Sequence, residues 1–83
     1  MSKPQLTVYT RDGCHLCEAL LEELDLFCSE NAFSYQKVEI STDNQLEARY
    51  GTKVPVVEYQ GNTLCEYFLD ADAIKLYFGK EIN

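Results

Sequence analysis

The stretch Gln5-Leu6-Thr7-Val8-Tyr9-Thr10-Arg11-Asp12-Gly13-Cys14-His15-Leu16-Cys17 changes its hydrophobic period partway along, and that change decides the fold. From Gln5 to Thr10, β-formers alternate with Leu6 and Val8 on one face, the pattern of a strand with one buried side. Arg11-Asp12-Gly13 breaks the alternation. From Cys14 onward the period is about 3.6, with Leu16, Leu20, Leu24 and Phe27 on one stripe, Ala19 and Cys28 beside it, and Glu18, Glu22, Glu23 and Asp25 largely away from it. A strand thus turns into an amphipathic helix over about Cys14 to Ser29.

Further along, Glu30-Asn31-Ala32 reads as a turn and Phe33 to Ile40 as a second strand. Ser41-Thr42-Asp43 offers N-cap side chains for a short helix over Asp43 to Tyr50, and Gly51 suits a left-handed C-terminal position. Val54 to Tyr59 forms a strand with a proline near its start, and Gln60-Gly61-Asn62 turns it into a hairpin with Thr63 to Glu66. Asp70 caps a last helix with Ala73, Ile74, Tyr77 and Phe78 on its apolar face and Gly79 as its stop. The order β-α-β-α-β-β-α predicts an α/β fold with a mixed sheet of four strands and helices on both faces.

Composition bounds the rest. The 83 residues are 46% hydrophobic with ten aromatics, six Tyr and four Phe, enough for a single domain over residues 1–83 and too apolar for disorder. Fourteen acidic against seven basic side chains give a net charge of −7, which argues against nucleic acid and against anionic membrane surfaces. No apolar run reaches the roughly 18–20 residues of a membrane span, and Met1 to Gln5 lacks the apolar stretch of a secretory signal, so a cytoplasmic location is expected.

The four cysteines then matter by spacing. Cys14 and Cys17 form a C-x-x-C pair, which four randomly placed cysteines would produce about one time in seven, so position carries the weight. The pair opens a helix directly after a strand and a glycine turn. With Cys14 as N-cap, Cys17 is the third helical residue, about 5–6 Å away on the same face and within reach of a disulfide. The helix start directs an amide and roughly half a positive charge at the Cys14 sulfur, which favours its thiolate. Cys14 is therefore expected to attack a disulfide, with Cys17 as the deeper, resolving thiol. His15, the sole histidine, reads equally well as an exposed loop residue. Cys28 and Cys65 would complete four thiolate ligands on paper, but Cys28 falls on the apolar stripe and reads as core, so no metal ligands are assigned.

With Arg11 to Cys17 after a strand and Val54-Pro55 opening the third strand, nearly the whole chain resembles the glutaredoxins of the thioredoxin-like superfamily, and more narrowly a small bacterial glutaredoxin-like group. The resemblance implies a thioredoxin-like fold and dithiol thiol–disulfide oxidoreductase activity on protein disulfides or glutathione mixed disulfides. It implies that Arg11 helps hold the thiolate or glutathione, that Pro55 is cis and faces the cysteine pair, and that Val54 offers its backbone to an extended substrate. The chain departs from the family after the fourth strand, where Leu64-Cys65-Glu66-Tyr67 replaces the glycines that let backbone approach glutathione, and Cys65 is expected near the mouth of the site as a third thiol. Lys53 replaces the usual threonine before Val-Pro, and His15-Leu16 the common Pro-Tyr. A monomer with no tightly bound cofactor, and glutathione as a co-substrate, is expected. The alternatives are a non-catalytic interaction module and metal or iron–sulfur binding through Cys14.

Overall fold

Leu6 and Val8, both fully buried, fix the inner face of strand β1 (Gln5–Thr10) in the computed structural model, which describes residues 3–82. Helix α1 (His15–Asn31) follows, then β2 (Ser34–Glu39), α2 (Asn44–Tyr50), β3 (Val56–Tyr59), β4 (Asn62–Glu66) and α3 (Ala71–Ile82), the element order read from the sequence. The strands form one sheet in the order β2-β1-β3-β4. Because α1 carries the chain back across the sheet, β1 and β2 run parallel, whereas β3 is antiparallel to both β1 and β4. The β3–β4 hairpin turns through Gln60 and Gly61 at φ 50 and 84, the two left-handed residues that suit the twist of a tight hairpin.

Each face of this sheet has its own apolar cluster. On one, Leu6, Val8, Val57 and Cys65 pack against Leu20, Leu24, Phe27 and Cys28 of α1 and Ile74 and Phe78 of α3. Burying each large aliphatic side chain contributes about 1.5–3 kcal/mol, so this face carries most of the hydrophobic stabilisation. The other cluster is smaller: Cys17, Ile40, Tyr50, Val54 and Val56, with Tyr9, Cys14 and Leu46 against it. Among the described residues no helix is long and apolar enough to cross a membrane. Met1 and Ser2, part of the segment read for a secretory signal, lie outside the described residues.

Several local expectations are corrected. Leu16 is 40% exposed, and the buried stripe of α1 begins instead at Cys17 and continues through Leu20, Leu24, Phe27 and Cys28. That set has the i, i+3, i+4 spacing of a helix face, with a thiol at its first position. The left-handed residue after a helix is Ala32, at φ 58, whereas Gly51 is right-handed at φ −54. Gly79 does not stop α3, which continues to Ile82. Strand β3 starts at Val56, two residues later than expected, because Pro55 has no N–H and the Val54 N–H donates to the Tyr50 carbonyl at 3.1 Å.

Candidate active site

The turn at 11–13 sets up the start of α1. Gly13 takes φ 75, the Cys14 N–H donates to the Arg11 carbonyl at 3.2 Å, and Cys14 adopts the extended N-cap conformation, φ −93 and ψ 113. Its Sγ then accepts the Cys17 N–H at 3.1 Å, so a sulfur occupies the place of the capping oxygen that usually satisfies an orphan amide. All four cysteines are free thiols.

Cys17 is only 2% exposed. Burial pushes its thiol up to about 11, reinforced by its hydrogen bond to Cys14 and by the negative charges of Cys14 and Glu39, against a backbone hydrogen bond from Arg11. The outer sulfur is thus held by a helix start while the inner one is kept protonated.

Two carboxylates fix this corner. Glu39, the last residue of β2, accepts from the Asp12 N–H at 3.2 Å and from the N–H and hydroxyl of Ser41 at 3.1 and 2.6 Å, which fastens the turn before Cys14 to the β2–α2 connection. The Ser41 hydroxyl and amide hold Glu39 below the usual carboxylate range. Glu47 of α2 pairs with Arg11, whose Nε donates to Oε2 at 3.4 Å while Nη2 donates to Oε1. Arg11 therefore reaches the cysteine pair through backbone and charge, but its guanidinium is held by Glu47. Neither glutamate was singled out from the sequence, and no local signal could have linked Arg11 to a residue 36 positions away.

The Val54–Pro55 bond is cis, as the resemblance implied, and Val54 packs in the cluster that contains Cys17, with Cys14 against it. Its carbonyl accepts no hydrogen bond among the described residues, but its amide is committed to Tyr50, so only half of the backbone pair expected to meet a substrate is open. Tyr67 lies across the same loop: its N–H donates to the Pro55 carbonyl at 2.8 Å and its hydroxyl to the Thr52 carbonyl at 2.7 Å. Behind the loop, Glu58 is buried on β3 and accepts the Tyr50 hydroxyl at 2.6 Å, with Tyr50 stacked on Tyr9 at 4.1 Å. Its signal in the sequence was the strand period, which places Glu58 on the same face as buried Val56.

The remaining candidates separate from this corner. The His15 side chain is 98% exposed and 4.0 Å from Glu18. Cys65, expected at the mouth as a third thiol, is instead buried in the α1/α3 cluster with Cys28, because it pairs across the hairpin with Val57. Burial raises both thiols. Among the described residues no three His, Cys, Asp or Glu side chains come together as a metal ligand set. A hollow of about 530 Å³ between the end of β4 and the start of α3 is lined by Leu64, Cys65, Phe68 and three acids, Glu66, Asp70 and Asp72, among others.

Comparisons with known proteins agree with this geometry. The family model described as glutaredoxin-like domain (DUF836) matches residues 5–78. Uncharacterized proteins of Mycobacterium tuberculosis and Mycobacterium bovis are 34% identical over 89 residues, covering 95% of this chain and 92% of theirs. A Nitrosomonas europaea protein solved by solution NMR superposes with a TM-score of 0.82 at 34% identity, covering 93% of each chain. An X. campestris protein solved by X-ray crystallography gives 0.73 at 34% identity over 90% of this chain and 96% of its own. Thioredoxin 1 of Thermosipho africanus shares the fold, at a TM-score of 0.66 and 12% identity over 95% of this chain and 99% of its own.

Proposed function

The chain belongs to the glutaredoxin-like domain (DUF836) family, and from that premise we propose that it is a dithiol thiol–disulfide oxidoreductase with Cys14 as nucleophile and Cys17 as resolving thiol. The observation that carries this reading is the Cys14 sulfur seated as N-cap of α1, accepting the amide of Cys17. That contact stabilises a negative charge on Cys14 at the positive end of a helix.

In the reaction, the Cys14 thiolate attacks one sulfur of a substrate disulfide. The substrate S–S bond breaks, a Cys14 mixed disulfide forms, and the first leaving thiolate takes up a proton. Cys17 then loses its proton and attacks the Cys14 sulfur, which releases the second substrate thiolate and leaves a Cys14–Cys17 disulfide. The substrate gains two electrons and the protein loses two. Two of the influences that keep Cys17 protonated are its hydrogen bond to Cys14 and the charge on Cys14, and both end when Cys14 becomes a neutral disulfide sulfur. The geometry thus delays the second thiol until the first has reacted. Arg11, Val54 and Pro55 border the pair as its binding residues, with protein disulfides as substrates and the reducing cytoplasm as the setting.

Trapping tests the assignment. Cys17→Ser should accumulate a stable mixed disulfide at Cys14 when mixed with a disulfide substrate, seen as an intact-mass increase, and Cys14→Ser should form none. Equal trapping at Cys28 or Cys65 would defeat the reading.

A further inference from the structure

Arg11 combines two facts that pull in different directions. Its backbone and its charge both act on the cysteine pair, so its guanidinium is the natural docking point for a substrate carboxylate. Yet both oxygens of Glu47 already engage it, in the two-pronged arrangement a ligand carboxylate would use. The fold makes room for this pair. A Cβ on Gly51 would meet the Glu47 backbone carbonyl first and would stand 2.9 Å from the Glu47 carboxylate and 3.2 Å from the Arg11 guanidinium, so a side chain at 51 would have to shift the turn and would also crowd the pair. This close approach, rather than a left-handed backbone, accounts for the glycine.

The surroundings add to the effect. Asp12 and Glu39 flank the turn before Cys14, and Glu18 sits in the first turn of α1. Against these stands Lys53, exposed beside the Val54–Pro55 bond. Leu16, next to Cys17, is exposed, and so is Tyr67, whose N–H donates to the Pro55 carbonyl. An incoming disulfide with carboxylates must displace Glu47 from Arg11 or bind against negative charge, whereas an apolar or basic polypeptide segment meets neither obstacle.

Building on the dithiol reading above, we infer that Glu47 is a specificity-determining residue: by occupying Arg11 it directs the dithiol to disulfides in apolar or basic polypeptide segments and against small carboxylate-bearing disulfides such as that of glutathione. The exchange steps are those already given, and Glu47 takes no proton or electron in them.

Three small disulfides that differ in charge test this: cystamine, which is cationic, bis(2-hydroxyethyl) disulfide, which is neutral, and glutathione disulfide, which is anionic. Rate constants for the reduced protein are compared with those of Glu47→Gln. The substitution should speed reaction with glutathione disulfide roughly fivefold, leave the neutral disulfide within about twofold, and slow cystamine, as expected for one partly screened charge. Glu47→Asp, which keeps the charge, should restore the original order. In the unaltered protein, raising salt from about 0.05 to 0.5 M should speed glutathione disulfide and slow cystamine, with no risk of a folding defect. Equal fold-changes for all three disulfides, or a salt response of the opposite sign, would overturn the inference while leaving the dithiol reading intact. A reduced protein that reacts with none of the three would overturn both.

Discussion

On the α1/α3 face of the sheet, two cysteines sit among leucines, valines and phenylalanines, and on the α2 face two more sit among tyrosines and a buried glutamate. Both faces raise their inner thiols by burial, so burial does not distinguish Cys17 from Cys28 and Cys65. The distinction is the start of a helix: Cys14 caps α1 and Cys17 lies one turn on, while Cys28 lies near the other end of the same helix, where carbonyls replace amides. In the proposed reaction, position along a helix marks out Cys14 and Cys17, and the same side chain elsewhere is an apolar filler.

The comparison is broken most directly by exchanging serine for cysteine on each face. Cys14→Ser should lower reduction of a small disulfide by roughly three orders of magnitude, since an alcohol of ordinary acidity cannot replace a thiolate. Cys28→Ser and Cys65→Ser should leave that rate within about twofold while costing about 1–2 kcal/mol in urea unfolding, because each puts a hydroxyl into an apolar cluster. Loss of rate on the α1/α3 face would dissolve the distinction.

The converse test is Leu24→Ala. Leu24 is fully buried in the α1/α3 cluster, and the truncation should cost about 2–5 kcal/mol. Total stability for this length is on the order of 4–12 kcal/mol, so the variant should unfold at markedly lower urea while its native fraction keeps its Cys14 alkylation rate.

How far each face could be read in advance follows from the range of its interactions. The α1/α3 face was legible because it is built from period: Leu6 and Val8 in β1, and Leu20, Leu24 and Phe27 in α1, all fell on their expected faces. The sulfur cap was legible too, since C-x-x-C after a strand and a turn fixes both cysteines relative to one helix. What was lost depended on distant partners. Gly51 faces Glu47 and Arg11 rather than adopting a left-handed turn, and Leu16 yielded its place on the stripe to a thiol that counts as apolar only once buried. Cys65 changed sides because the β3–β4 register shifts between Val57 and Glu58, an irregularity with no local signature. The open half of the Val54 backbone was likewise hidden, since its amide is taken by a carbonyl in α2.

The polar character of the α2 face can be sharpened with Tyr50→Phe. This removes the only donor to the buried Glu58 carboxylate among the described residues and should cost about 1–3 kcal/mol. A pH effect accompanies it. Burial and the Glu58 hydrogen bond raise the Tyr50 phenol above its ordinary value of about 10, so its neutral form belongs to the folded state. Such a group contributes fully below pH 10 and its contribution fades as pH rises toward the folded value, so Tyr50→Phe should flatten the alkaline fall in stability. Tyr35, pushed up to about 12 chiefly by its hydrogen bond to Asp25, keeps part of that fall in both proteins. An unchanged alkaline slope would separate Tyr50 from the pH response.

The smallest effect bears on how the two thiols of the α2 face would take turns in the proposed exchange. Cys17 is pushed up to about 11, first by burial, then by its hydrogen bond to Cys14 and the charge there. Capping Cys14 as a neutral thioether with iodoacetamide removes that charge and leaves burial in place. In a Cys28→Ala, Cys65→Ala background, the ¹³Cβ shift of Cys17 followed by NMR should titrate near 11 with Cys14 free and at distinctly lower pH with Cys14 capped. Glu39→Gln should move it slightly further in the same direction, since Glu39 is the remaining negative charge acting on it. A midpoint that ignores the cap would mean that burial and Glu39, not Cys14, keep Cys17 protonated. Bonding at Cys14 would then do nothing to release the second thiol, and the resolving step would require a proton acceptor of its own.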